Sequence, residues 1–388
     1  MKKFIPYGKQ TIDEKDILSV VEALKSDFLT TGPKIEEFEA KLANYCGARY
    51  CVAVSNGTAA LHLASLTLLN KNDKVLTTPN SFVATSNSIL YANAKPIFVD
   101  ICEDGNIDLD LCEKKLQEDS SIKALYVVHF SGNPVNQDKL KYLKDKYKVK
   151  ILEDCAHSIG ANFKDIKAAS CVNSDCSILS FHPVKHITTA EGGAITTNSK
   201  EIYERLLQLR AHGISRVNFK NQDMAKDKKG NINPWYYEMQ NLGFNYRITD
   251  IACALGISQL KKLDIFIEKR KEIAKSYDKA FLNTIVKPLY IFNGNSSYHL
   301  YVVRVDFAKL NITKAELFNK MKEQNIGLQL HYISINKQPF YKDLGYGDEK
   351  TPVMDRYYEE CFSLPMYPSL SEEEQEYVVE NLLGFLEL

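Results

Sequence analysis

The chain has 388 residues, with 49 Lys plus Arg against 49 Asp plus Glu and a formal net charge of zero. That balance argues against broad electrostatic binding to nucleic acid or to an anionic membrane, and no run reaches the ~18 apolar residues of a membrane helix. Hydrophobic content of 45% is ordinary for a globular chain, and at about 150 residues per domain the length suits two or three domains.

The start, Met1-Lys2-Lys3-Phe4, is basic with no apolar stretch behind it, which reads as cytoplasmic. The nine cysteines include two close pairs, Cys46 with Cys51 and Cys171 with Cys176, without the spacing of a zinc finger; reduced thiols are expected. Thr11 and Glu14 have the spacing of a capping box, and Ile17, Val20, Val21 and Leu24 follow at helical intervals. Short apolar runs then alternate with helical stretches. The runs are Tyr50–Val54, Val75–Thr77, Pro96–Val99, Ala124–His129, Val149–Glu153, Ser177–Phe181 and Ala194–Thr197; Ala59–Leu69 and Asp138–Tyr147 are helical. Many of the runs are β-branched and continuously apolar, as strands buried on both faces read. The expected fold class is α/β, with a large, mainly parallel seven-stranded sheet.

Residues Asn218–Asn233 are polar and read as a solvated loop. An amphipathic helix follows from about Asp264 to Phe281. Then come strand Tyr298–Val305, a helix with a Thr313/Glu316 box, strand Gly327–His331 and a last helix boxed by Ser371/Glu374. This order predicts a large domain over 1–257 and a smaller α+β domain over 258–388.

Four local patterns carry chemistry. Ser55-Asn-Gly-Thr-Ala-Ala-Leu61 joins a strand to a helix, where small residues and free N–H groups suit an anion such as phosphate or serve as a plain turn. Asp154 ends an apolar strand, at the sheet edge where open α/β sheets bind ligands; it either pairs with a cation there or caps the next helix. Lys185 follows strand Ser177–Phe181 and a turn holding Pro183, with Gly192-Gly193 beyond. A lysine so held forms a Schiff base when burial or cationic neighbours depress its pKa. Gly243–Asp250 leads into a helix capped by Thr249 or Asp250. Neither a Walker A loop nor the GxGxxG fingerprint occurs, which disfavours a nicotinamide enzyme. An anion turn, then an acid, then a lysine is the order of fold type I pyridoxal phosphate enzymes, whose cofactor needs one of each.

Leu29-Thr-Thr-Gly32, Ser55–Leu61, Ser81–Thr85, Glu153–His157, Ser180–Gly193, Gly243–Asp250 and His331-Tyr332 together resemble the DegT/StrS family of nucleotide-sugar aminotransferases, nearly end to end. The resemblance implies pyridoxal 5′-phosphate as cofactor, cycling to pyridoxamine 5′-phosphate, and an aspartate-aminotransferase-like fold. It implies Lys185 as covalent anchor and Asp154 as partner of the pyridine nitrogen. Phe82 stacks on the ring. Gly57, Thr58, Ala59 and Ser180 hold the phosphate, and His157 lies beside the ring. Asn245 is expected to reach the phosphate of a neighbouring subunit in a homodimer. Substrate contacts are expected from Tyr7, Phe28, Leu29, Thr30, His331 and Tyr332, and Tyr332 or Trp235 could stack on the base. The implied reaction moves an amino group from L-glutamate to the C4 carbonyl of a UDP-linked 4-keto-6-deoxy-N-acetylhexosamine, on the route to pseudaminic acid. Other keto-sugars of the bacillosamine or perosamine type, and a non-catalytic binding protein on the same fold, are the alternatives. Relatives with His in place of the lysine are dehydratases, so Lys185 favours transamination.

Overall fold

The computed structural model describes residues 3–386. Its main sheet has seven strands: β1 (Tyr50–Val54), β2 (Lys74–Thr77), β3 (Lys95–Phe98), β4 (Ile122–Val128), β5 (Lys150–Asp154), β6 (Cys176–Ser180) and β7 (Gly193–Thr197). They lie in the order β1-β7-β6-β5-β4-β2-β3. Strand β7 runs antiparallel to both of its neighbours, and every other pairing is parallel. All seven expected runs are strands, displaced by only one or two residues.

Side chains alternate between the two faces of this sheet. Cys51 and Ala53 enter one core with Phe38, Leu42 and Ile257. Val52 and Val54 enter the opposite core with Ala60, Leu63 and Ala64. The first core is covered by α2 (Pro33–Cys46) and the second by α3 (Gly57–Leu68), after α1 (Glu14–Leu24) at the start of the chain. Burying one such aliphatic side chain is worth about 1.5–3 kcal/mol, so both faces need cover.

A second sheet of three antiparallel strands, Lys287–Pro288, Tyr301–Arg304 and Cys361–Leu364, lies after the long helix Leu263–Ala280. Its core holds Tyr277, Val303, Phe362, Leu317 and Leu382, and Ile5 from the far N-terminus packs into it. No helix among the described residues is long and apolar enough to cross a membrane.

The Thr313/Glu316 box and the reciprocal Ser371/Glu374 bonds form as expected, and Thr249 caps Asp250–Leu260. Two local expectations differ. The box on α1 is Asp13 with Asp16, two residues later than Thr11 with Glu14, because Asp13 takes the extended backbone of a cap and its carboxylate accepts the Asp16 N–H. Gly327–His331 is not a strand: Ile326 bridges Ile5 and Gln329 bridges Ser363, single contacts on two different neighbours. Likewise only Tyr301–Arg304 of the run Tyr298–Val305 is strand. The preceding residues leave the small sheet for the large one, where Ser297 N–H donates to Gly132 O and Ser297 Oγ to the His157 carbonyl.

The segment Asn218–Asn233 is largely exposed and includes a short helix, Gln222–Ala225. Glu238 pins its start by accepting from the N–H groups of Lys220 and Asn221.

Candidate active site

The carboxyl ends of β1, β5 and β6 and the chain just after β2 converge on one cavity of about 740 Å³. Gly57, Thr58 and Ala59 line it from the start of α3, Phe82 from the loop after β2, Asp154 and His157 from the end of β5, and Ser180 and Lys185 from β6 and its turn. Tyr7, His331 and Tyr332 complete the opposite wall.

The anion turn is built by sequence. Asn56 caps α3, its side chain accepting from Ala59 N–H at 2.8 Å. The first helical turn leaves leading N–H groups without intrahelical partners and carries the positive end of the dipole. Gly57 packs against Ser180, where a Cβ would stand 3.1 Å from the Ser180 Cβ. Gly193 has the more stringent place. A Cβ there would lie 2.5 Å from Asn56 O and 2.8 Å from Gly57 N, both backbone atoms. The neighbour that Gly193 admits is therefore the anion turn itself. Gly193→Ala should push that turn out of place and weaken pyridoxal phosphate binding at least ~10-fold, measured by fluorescence titration; an unchanged affinity would refute the role.

Asp154 is buried. Its Oδ2 accepts from Thr85 Oγ1 at 2.8 Å and its Oδ1 from Ala156 N–H at 3.0 Å. Burial pushes its pKa up, while those two bonds and the Lys185 charge oppose the shift. A cation placed in the cavity beside it would add to that opposition.

Lys185 is held by the turn, its N–H donating to His182 O at 2.9 Å. Burial lowers its pKa to about 8, against the opposing pull of Asp154, with Arg270 adding to the depression. Its Nζ lies 3.4 Å from His299 Nε2. His157 Nε2 meets the Tyr332 hydroxyl at 3.0 Å, and the His157 and His299 rings are 4.3 Å apart between centroids. Burial holds both imidazoles well below the ordinary histidine range. Phe82, 60% exposed, stands free enough to cover a planar ring.

Other expected contacts lie elsewhere. Phe28 and Leu29 are about half exposed and, like Thr30, lie outside this cavity. Thr30 bridges Thr249. Asn245 is exposed and pairs through its backbone with Ala211. Trp235 is 75% exposed and also outside. His299 and Thr85 were not singled out for roles by sequence reasoning. Thr85 stands in the Ser81–Thr85 motif, but nothing local marks it as the ligand of an aspartate 69 positions away. The only signal for His299 is the polar run Ser296-Ser297-Tyr298-His299 in front of a strand.

This is the cofactor set that fold type I chemistry requires: a buried amine of depressed pKa, a buried carboxylate and an anion cup on one wall. The donor set fits pyridoxal phosphate, and a glycine-only space keeps the cup open. The model of the DegT/DnrJ/EryC1/StrS aminotransferase family matches residues 10–383. The chain belongs to this family. It is a pyridoxal-phosphate-dependent nucleotide-sugar aminotransferase. Among its relatives is a Campylobacter jejuni UDP-4-amino-4,6-dideoxy-N-acetyl-beta-L-altrosamine transaminase, 40% identical over 99% of this chain and 98% of that one. A Helicobacter pylori aminotransferase of pseudoaminic acid biosynthesis, PseC, superposes with a TM-score of 0.90 at 29% identity, covering 100% of both chains. The PLP form of a putative sugar aminotransferase, Spr1654 from Streptococcus pneumoniae, superposes with a TM-score of 0.86 at 28% identity over 98% of each.

Proposed function

We propose that this aminotransferase moves the amino group of L-glutamate to the C4 carbonyl of a UDP-linked 4-keto-6-deoxy-N-acetylhexosamine, yielding a 4-amino-4,6-dideoxy sugar. The observation that carries the chemistry is the meeting of Lys185, Asp154 and the Asn56–Ala59 turn in one cavity. The substrate rests on the transaminase relative at 40% identity.

Bound pyridoxal 5′-phosphate supplies an electron sink for the carbon that bears the transferred nitrogen. Gly57, Thr58, Ala59 and Ser180 hold its phosphate, and Phe82 covers its ring. The Asp154 carboxylate, ordered by Thr85 and Ala156, keeps the ring nitrogen protonated. Lys185, with a pKa of about 8, is poised as a base near neutral pH. In the first half-reaction its amine would remove the α-proton of L-glutamate; the amino nitrogen would stay with the cofactor, water would supply the keto oxygen, and 2-oxoglutarate would leave. In the second it delivers a proton to C4 of the sugar. Tyr7, His331 and Tyr332 form the wall that meets the sugar, with Tyr7 and His331 in edge contact at 5.2 Å. In this reading residues 1–257 form the cofactor domain and 258–388 the smaller domain.

The active form is a C2 homodimer in which Asn245 serves the neighbouring subunit's phosphate. Its exposure outside the cavity of its own chain supports this, as do the exposed Leu242 near it in sequence and the exposed Phe28 and Leu29, whose segment adjoins through the bond from Asp250 N–H to Leu29 O. Sedimentation should show a dimer; a fully active monomer would overturn the arrangement.

The substrate is tested with L-glutamate and a panel of UDP- and GDP-linked 4-keto sugars, with the new nitrogen located by NMR. Turnover of the UDP N-acetyl sugar should exceed that of the others by at least ~10-fold, with nitrogen at C4. Equal turnover of a GDP-linked sugar, or nitrogen at C3, would reject the assignment.

A further inference from the structure

His299 comes from the small-sheet side of the molecule, yet its imidazole lines the cofactor cavity. It is buried. Its Nε2 is the one side-chain hydrogen-bond partner of Lys185 Nζ among the described residues, at 3.4 Å. Asp154 influences that amine through space but does not bond it.

The backbone around His299 is firmly set. Arg270 is fully buried, and its Nη1 donates to the carbonyls of Tyr298, His299 and Met366 at 3.2, 3.1 and 2.9 Å. The ring is flanked by His157 at 4.3 Å and His186 at 5.5 Å between centroids. Burial above all, and then the positive charge of Lys185 and Arg270 nearby, holds its pKa well below the ordinary histidine range, so the imidazole stays neutral. A neutral imidazole and a neutral amine can hydrogen-bond with either tautomer.

We propose that His299 is a positioning residue that receives the Lys185 amine each time the lysine is released from the cofactor. It would hold the freed amine against the cavity wall and keep it off Asp154, which is then left to the ring nitrogen. This rests on the reading of Lys185 as the covalent anchor.

The exchange itself balances. An incoming primary amine forms a C=N bond to the cofactor carbon as the lysine's C=N bond breaks, and two protons pass from the incoming nitrogen to the Lys185 nitrogen. No oxidation occurs. Losing a partner of the freed amine therefore shifts this equilibrium back toward the lysine-bound side. A net hydrogen bond of about 0.5–1.5 kcal/mol corresponds to roughly 2–13-fold.

The test uses the holoenzyme and methoxyamine as the displacing amine, following the visible band of lysine-bound cofactor at equilibrium. His299→Phe fills the same space without a polar atom, and His299→Gln can still donate and accept. The displacement constant should fall about 3–10-fold in His299→Phe and return to within about two-fold of wild type in His299→Gln. If His299→Phe does not fold, His299→Leu takes its place. A constant unchanged in the apolar variant, or equally reduced in the glutamine variant, overturns the proposal. A wild-type protein with no such band, or a band that survives Lys185→Ala, overturns the anchor reading and this proposal with it.

Discussion

Lys185→Ala and Lys185→Arg should each abolish turnover, with kcat down by at least ~10⁴-fold. The arginine keeps the charge at the end of the turn after β6 but stays protonated at every accessible pH, so it can neither take the donor α-proton nor bond to cofactor. Alanine removes the amine altogether. Both variants should lose the visible band of the lysine-bound cofactor while still binding pyridoxal phosphate through the Asn56–Ala59 turn and Asp154. The wild type adds a pH signature. The amine is nucleophilic only when neutral, and its pKa is lowered to about 8 by burial. Capture of added pyridoxal phosphate by the cofactor-depleted protein should therefore accelerate as pH rises through about 8 and level off above it. Stopped-flow absorbance measures this directly. A Lys185→Arg enzyme with measurable turnover, or a flat capture profile from pH 6 to 10, would contradict the assignment.

Asp154→Asn is expected to lower kcat by ~10²–10³-fold, the usual cost of removing one charge-stabilising group from an active site. The substitution is isosteric. The amide oxygen can still accept from Ala156 N–H, while the amide nitrogen faces the Thr85 hydroxyl, which can rotate to accept, so the end of β5 should keep its shape. What disappears is the negative charge, and with it the preference for a protonated ring nitrogen. The variant should retain the visible band because Lys185 is untouched. Retention of the band with loss of turnover separates this role from that of the lysine. Steady-state kinetics within about three-fold of wild type would show that the carboxylate is not the ring's counter-charge.

The parts of this molecule that were legible in the sequence are those with a local cause. Many strands of the main sheet are continuously apolar because both faces are covered, and a run needs no knowledge of its partner to be read. The helix boxes at Thr313/Glu316 and Ser371/Glu374 are set by residues three apart. Lys185, Asp154 and the turn at Thr58 share one property: each follows a strand at its carboxyl end. A parallel sheet brings all such ends to one edge, so their order along the chain was enough to place them in one site.

Other features had no local cause. Thr11/Glu14 and Asp13/Asp16 are both acceptable caps by spacing, and the backbone conformation at Asp13 chose between them. Gly327–His331 has the composition of a strand, but a strand exists only if one neighbour pairs along its length; here the chain makes one bridge at Ile326 to Ile5 and one at Gln329 to Ser363. Thr85 meets Asp154 across 69 residues and His299 meets Lys185 across 114. The first contact joins the helix start after β2 to the end of β5, and the second joins the turn after β6 to the chain that enters the small sheet. The sequence alone determined the sheet and the residues at its active edge; the tertiary structure decided which side chains orient them, because long-range contacts are set by packing and leave no period in the chain.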